Sequence, residues 1–227
     1  TTPNIVTFFT QTDRYTQEKL DSSLEKLRNY YMDRGYLKFT VKSSQAAITP
    51  DRKSIYLTIV VDEGVIYTVK GVDIVGKTIV PRSELLQKVD IQPGSIFSRK
   101  AVMDGEKTIS DALGAKGYIF TTVTMQPKID DVNHQVYLTY VVKPGKRAYL
   151  HQVHFIDNTK TNDDTLRREI QQMEGAPVST VKLEESKHRL SLLPYIRNVD
   201  MSVEPVPGTD DNVDVNYKVT EDNAAQA

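Results

Sequence analysis

The chain contains no cysteine in 227 residues, which excludes disulfides, thiolate metal ligands and cysteine nucleophiles together. Such a composition suits an oxidising compartment such as a periplasm, where stray thiols would pair wrongly. An excess of charge of one sign is also missing. The 29 basic side chains stand against 30 acidic ones, for a net charge of -1, so the electrostatic footprint of a nucleic-acid binder is absent. Apolar runs are only a few residues long, against the roughly 20 residues a membrane-spanning helix needs. The opening stretch TTPNIVTFFTQTD has neither the basic nor the apolar segment of a secretion signal, so any signal is expected to have been removed or to lie upstream. What remains, 39% hydrophobic and 26% charged residues, is the balance of a folded protein of one large or several small domains.

The chain repeats itself. RGYLKFTV (Arg34 to Val41) recurs as KGYIFTTV (Lys116 to Val123), and a third version, LPYIRNV, occupies Leu193 to Val199. Glu63-Gly64 is echoed by Pro144-Gly145, and Gly94 of QPGSIFS by Gly175 of EGAPVST. A period of about 80 residues is too long for a solenoid repeat and right for small tandem domains.

Within a copy the apolar period changes in a fixed order. In the second, Val72 and Ile74 alternate as a strand, and Leu85, Leu86 and Val89 stripe a first helix. Ser98 is placed to cap a second helix carrying Val102, Ile109 and Leu113, which Gly117 ends. Two strands close the unit, with Val136, Leu138, Tyr140 and Val142 alternating along the last. The third copy repeats the order, with Leu166, Ile170 and Met173 on its first helix and Leu183, Leu190 and Leu193 on its second. The first copy keeps a helix with Leu20, Leu24, Leu27 and Tyr31 and a hairpin through Phe39, Val41, Leu57 and Val61. Its opening strand and most of its first helix are expected to be missing, as in a fragment cut from a longer chain.

The predicted fold class is α+β: tandem domains, each β-α-α-β-β, with a three-stranded mixed sheet covered on one face by two helices. The predicted boundaries are 1–64 for the incomplete copy, 65–146 and 147–223 for the complete ones, and 224–227 for a tail. A sheet covered on one face leaves an edge whose unpaired N–H and C=O groups can accept a strand from a partner.

Motifs for chemistry fail against this frame. GVDIVGKT (Gly71 to Thr78) spells the phosphate-loop pattern G-x-x-x-x-G-K-T, but its variable positions alternate as a strand and commit their N–H groups to sheet pairing. His151 and His154, three apart on a strand, are expected on opposite faces and so make no metal site. The pairs Asp130-Asp131, Asp163-Asp164 and Asp210-Asp211 fit turns and a helix start. No catalytic residue, cofactor site or metal site is predicted, and the chain reads as a binding protein.

DEGVIYTVKGVDIVG, LRNYYMDRGYLKFTV and RREIQQMEGA resemble the polypeptide-transport-associated (POTRA) repeats of the BamA family of outer-membrane protein assembly factors in Gram-negative bacteria. The resemblance covers nearly the whole chain and implies POTRA 3 (truncated), 4 and 5, ending where a membrane barrel would begin. It implies a periplasmic location, tethered to the outer membrane, and a chaperone-like role without enzymatic activity or cofactor. The partners implied are unfolded outer-membrane β-barrel proteins bound by sheet-edge pairing, the lipoprotein BamB at the first domain and BamD at the last. Edge pairing would use the second strand of each copy, Thr40 to Ile48 in the first, with Val41, Lys42, Ala46 and Ile48 meeting BamB. Lys38 and Lys42 fit equally a solvated edge that they keep unpaired. Glu174, expected at the end of the first helix of the last copy, would take an arginine of BamD there, with Arg167 and Arg168 adding contacts. A POTRA region of a related translocation or secretion porin, with other clients, stays open as an alternative.

Overall fold

A computed structural model of the chain describes residues 4–11, 17–48 and 54–222. The elements are β1 (Asn4–Gln11), α1 (Gln17–Met32), β2 (Thr40–Ile48) and β3 (Ser54–Asp62), then β4 (Thr68–Gly76), α2 (Arg82–Lys88), α3 (Arg99–Gly114), β5 (Thr122–Asp130) and β6 (Gln135–Lys143). The last set is β7 (Tyr149–Ile156), α4 (Asp163–Arg167), α5 (Thr180–Ser191), β8 (Ile196–Pro205) and β9 (Asn212–Glu221). They form three three-stranded sheets of order β1-β3-β2, β4-β6-β5 and β7-β9-β8. The chain divides into two compact units, Thr1–Asp73 with Val89–Glu106 and Met125–Tyr140, and Ile74–Lys88 with Lys107–Thr124 and Val141–Ala227. The division runs through the middle repeat. No described helix is long and apolar enough to cross a membrane.

The third sheet is mixed: β7 runs parallel to β9, and β8 antiparallel to it. Its alternating inward residues Val213, Val215, Tyr217 and Val219 are almost fully buried together with Leu166, Leu183 and Leu190 from the two helices. At roughly 1.5–3 kcal/mol for each fully buried large apolar side chain, this layer is what holds the repeat. The Tyr217 phenol donates to the Leu183 carbonyl at 3.2 Å, and burial pushes its pKa up to about 12. The middle repeat uses the same device, with Tyr140 Oη donating to the Val102 carbonyl at 3.0 Å.

The first repeat differs from expectation. A strand, β1, does occupy the position beside β3, so the first sheet has three strands, but β1 runs antiparallel to β3. The reason is parity. Each helix joined by a short connection reverses the chain, so a repeat with one helix between its outer strand and its hairpin brings that strand in the opposite direction from a repeat with two. Its buried core is Phe39, Leu57, Ile59 and Val61, against which Leu20, Leu24, Leu27 and Tyr31 of α1 pack.

Three helices stop short of expectation: Val89 lies just beyond α2 and Leu193 beyond α5, where the chain is already turning towards the next element. α4 stops at Arg167, so Ile170 and Met173 lie beyond it. Ile170 still packs on the core, while Met173 is 74% exposed. The helix is short because Asn162 caps its start and the chain must then turn back to the sheet edge, where Gly175 donates to the Leu150 carbonyl at 2.7 Å.

Candidate functional site

The GVDIVGKT stretch is β4 and the turn that follows. Ile74 is buried and Val72 half-buried. Gly76 has φ +100, and a Cβ there would collide with the backbone of Val142. In the third repeat the same left-handed turn is made by Asp157, φ 65, which aspartate tolerates better than most residues. The motif's second glycine therefore serves a strand-to-helix turn.

The RGY and KGY copies build joints between successive repeats. Gly35 (φ +95) accepts a hydrogen bond from the Tyr67 N–H at 2.8 Å, and the Tyr67 carbonyl in turn accepts from Phe97 N–H at 2.9 Å. In the other unit Gly117 (φ +101) accepts from Ala148 N–H at 2.8 Å, whose carbonyl accepts from Val178 N–H at 3.0 Å. Side chains reinforce the first joint. Asp131 binds Lys38 Nζ at 2.6 Å and accepts from Tyr67 Oη at 2.6 Å, which lowers its pKa. Asp33 accepts from the Lys100 N–H at 2.7 Å, capping α3 from the neighbouring repeat. At the second joint Lys146 pairs with Asp210 at 2.6 Å. The charged residues Asp33, Asp131 and Asp210 were not singled out from sequence for this role. Their only sequence signal is position, next to the glycine or in the hairpin turns.

β2, β5 and β8 each lie at a sheet edge. On β2 the ladder to β3 is interrupted by a bulge between Val41 and Ser43. Val41 is half-buried and packs against the first core. Lys42, the bulged residue, pairs with Asp62 at 2.9 Å and lowers that carboxylate's pKa. Bulges and charges are what edges carry to discourage unwanted pairing. Ala46 and Ile48 stand opposite Leu57 and Ile55 in the register; their side chains lie outside the described residues.

The β8 edge borders a groove of about 720 Å³. Met201 and Val203 of β8, Val181 and Leu183 of α5 and Ile119 and Phe120 of the loop between α3 and β5 supply its apolar lining. Phe120 and Val181 are exposed. An open edge beside an apolar groove is the geometry that takes an extended segment, with backbone on the edge and alternate side chains in the groove.

The residues expected to meet BamD come together at the opposite edge, β7. Glu174 lies in the loop after α4 and not at a helix end, so its expected conflict with the helix dipole does not arise. Instead its Oε1 accepts from the Val153 N–H at 2.8 Å and from Arg167 Nη1 at 3.3 Å, while Arg167 Nη2 donates to the Val153 carbonyl at 3.0 Å. Arg167 also lies over the Phe155 ring, 5.7 Å from its centroid. Arg168, one residue on, caps α4 with its backbone and has an exposed side chain.

The two histidines of β7 share a face, against expectation. A register shift between Leu150 and Gln152 breaks the alternation, so Leu150 and Val153 both point inward and His151 and His154 both outward. His151 Nδ1 lies 2.9 Å and His154 Nε2 3.7 Å from the two oxygens of Asp214. Although burial opposes it, His151 and the Gln152 N–H keep the Asp214 pKa low. Among the described residues no group of three or more His, Asp or Glu side chains is arranged to hold a metal ion.

The POTRA family model, described as surface antigen variable number repeat, matches residues 4–64, 67–145 and 148–222. The chain is 32% identical over 218 residues to the outer membrane protein assembly factor BamA of Neisseria meningitidis serogroup B, covering 96% of this chain and 27% of that protein. It spans about a quarter to a third of the length of the curated relatives it matches. Its fold superposes on POTRA3-5 of Haemophilus influenzae BamA with a TM-score of 0.83 at 30% identity, covering 92% of this chain and 83% of that one. A BamA structure from Haemophilus ducreyi lacking POTRA domains 1-3 gives a TM-score of 0.61 at 35% identity, over 69% of this chain and 30% of that one. With three family matches that together take in nearly every described residue, the chain belongs to the POTRA family.

Proposed function

We propose that this chain is the periplasmic POTRA region of an outer-membrane protein assembly factor, and that it binds unfolded barrel proteins by adding their strands to its open sheet edges. The observation that carries the reading is the likeness to BamA across 96% of the chain, supported by the groove that flanks the open β8 edge. Backbone pairing at an edge recognises any extended segment, and a groove favours those with alternating apolar side chains, which is how barrel strands are written. The role asks for no catalytic residue.

Accessory lipoproteins dock at the two ends of the chain in this reading. BamB takes the β2 edge between Thr40 and Ile48, where the bulge at Lys42 limits pairing to the Ser43 to Ile48 stretch. BamD takes the third repeat at Glu174, with Arg167 and Arg168 beside it. Among the described residues both contacts of Glu174 fall on Oε1, which leaves Oε2 for a partner's cation. Glu174→Lys is expected to weaken BamD binding at least tenfold, about 1.4 kcal/mol, with the circular dichroism spectrum unchanged; unaltered affinity in a calorimetric titration removes this docking site. For the clients, a crosslinking scan along β2, β5 and β8 with an unfolded barrel protein is expected to label the edges. Crosslinks confined to the helices count against strand addition.

A further inference from the structure

The β7 edge is filled from its start to Val153, in two different ways. The chain's own segment after α4 lies antiparallel along its start: Ala148 O accepts from Val178 N–H, Leu150 N–H donates to Ala176 O at 3.0 Å, and Leu150 O accepts from Gly175 N–H at 2.7 Å. Tyr149 and Pro177 form a β-bridge. At Val153, the next residue whose N–H and C=O face the edge, the chain's own segment has turned away and two side chains finish the ladder. Glu174 takes the N–H and Arg167 the C=O, and the two hold each other. A carboxylate accepting and a guanidinium donating, side by side, reproduce what one residue of a neighbouring strand would offer. The middle repeat shows that this is not required by the fold. There Phe97, Ser95 and Gly94 make the same three backbone bonds to Tyr67 and Val69, but the positions matching Arg167 and Glu174 hold Leu86 and Pro93, which offer neither group.

We propose that the Arg167–Glu174 pair is a strand-exclusion clip: it confines strand addition in the third repeat to the β8 edge, and drawing Glu174 off it opens β7 at Val153 to an extended polypeptide segment. An incoming strand would extend antiparallel pairing that the chain's own backbone has already begun on this edge, so register is set before it arrives. A partner cation that captures Glu174 would release the Val153 N–H, and accessory docking would thereby change which edge accepts a client. This rests on the strand-addition reading above.

The test uses the 227-residue chain alone. Amide exchange of Val153 is followed by NMR in the unmodified protein and in Glu174→Gln and Glu174→Ala, and each is then incubated with a photoreactive peptide copying strand β9, NVDVNYKVTE. In the unmodified chain Val153 is protected and adducts map to β8. In Glu174→Ala, Val153 exchange is expected to accelerate at least about tenfold, with adducts appearing on His151 to Ile156; Glu174→Gln, which keeps an acceptor oxygen, falls between. Unchanged protection of the β9 amides establishes that the variants are folded. Val153 exchange that does not respond to Glu174→Ala overturns the clip, as does equal labelling of β7 in the unmodified protein. A deprotected Val153 with adducts still confined to β8 overturns the gating half. Adducts on neither edge remove the strand-addition reading itself and the clip's purpose with it. Loss or survival of BamD binding in Glu174→Lys bears on none of these outcomes.

Discussion

The middle and third repeats share a framework almost residue for residue and differ at its margins. Both bury a tyrosine whose phenol donates into the second helix, Tyr140 to Val102 and Tyr217 to Leu183. Both begin the second helix at a serine, Ser98 and Ser179, whose hydroxyl accepts from a first-turn N–H. Both leave the first strand through a left-handed residue, Gly76 and Asp157. They part where the backbone ladder ends: Leu86 and Pro93 in the middle repeat, the charged Arg167 and Glu174 in the third. Burial dictates the shared features, because an unpaired phenol or N–H in the core carries a free-energy cost. Edges are wet, so their chemistry is free to vary and can carry function.

The comparison breaks most sharply at the left-handed turn. Gly76→Asp copies the third repeat into the middle one but meets the Val142 backbone, and is expected to cost upward of about 2 kcal/mol in urea denaturation. The reverse change, Asp157→Gly, is expected to fall within about 0.5 kcal/mol, since among the described residues the Asp157 carboxylate pairs only with the exposed Lys218 at 3.4 Å. Next come Tyr140→Phe and Tyr217→Phe. Each removes one buried hydrogen bond while the helix carbonyl keeps its place in the helical ladder, and is expected to cost roughly 0.5–1.5 kcal/mol; equal losses confirm equivalent cores, and unequal ones show that the buried Ser186 beside Tyr217, where the middle repeat has Gly105, shares the load.

A third effect is confined to the third repeat. The Thr161 hydroxyl and N–H, with the N–H of Lys160 and the Thr159 hydroxyl, hold Glu221 to a pKa of about 2. Because the folded value lies below the unfolded one, the stabilisation is complete above about pH 4.5 and is lost as pH falls towards 2. Acid is therefore expected to loosen the Thr159–Thr161 amides before those of the middle repeat, which has Pro144 at the matching position, and Glu221→Gln is expected to abolish that difference in NMR-detected titrations. The smallest effect belongs to the clip. Replacing it with the residues of the middle repeat, Arg167→Leu and Glu174→Pro, is expected to change stability by less than about 1 kcal/mol, as half-exposed ion pairs do, while speeding amide exchange at Val153.

Much of this was legible in the sequence. Internal similarity and the alternation of apolar residues marked three sheets and the helices that cover them, and the span Thr40 to Ile48 named from its pattern is β2. The rest depended on things that patterns do not carry. The bulge at Leu150 and Gln152 moves His154 to the face of His151, and no residue type announces it. β1 was missed because losing one helix reverses the strand without removing its place beside β3. Glu174 and Arg167 were singled out as partner contacts, yet their bonds to Val153 join residues 21 and 14 positions apart, beyond any local rule. Alternation placed Val41 on the apolar face of the first hairpin, and it packs there.

The glycine joints have a consequence for how such an array is written. Each is made by a main-chain carbonyl meeting a main-chain N–H, so the surrounding side chains are free to drift while the joint keeps its geometry. What it does demand is one residue with a positive φ, Gly35 or Gly117. In the third copy that place is taken by Pro194, whose ring holds φ near -65°. The same joint is thus spelled at two places in the chain and unwritten at the third by a change of one residue.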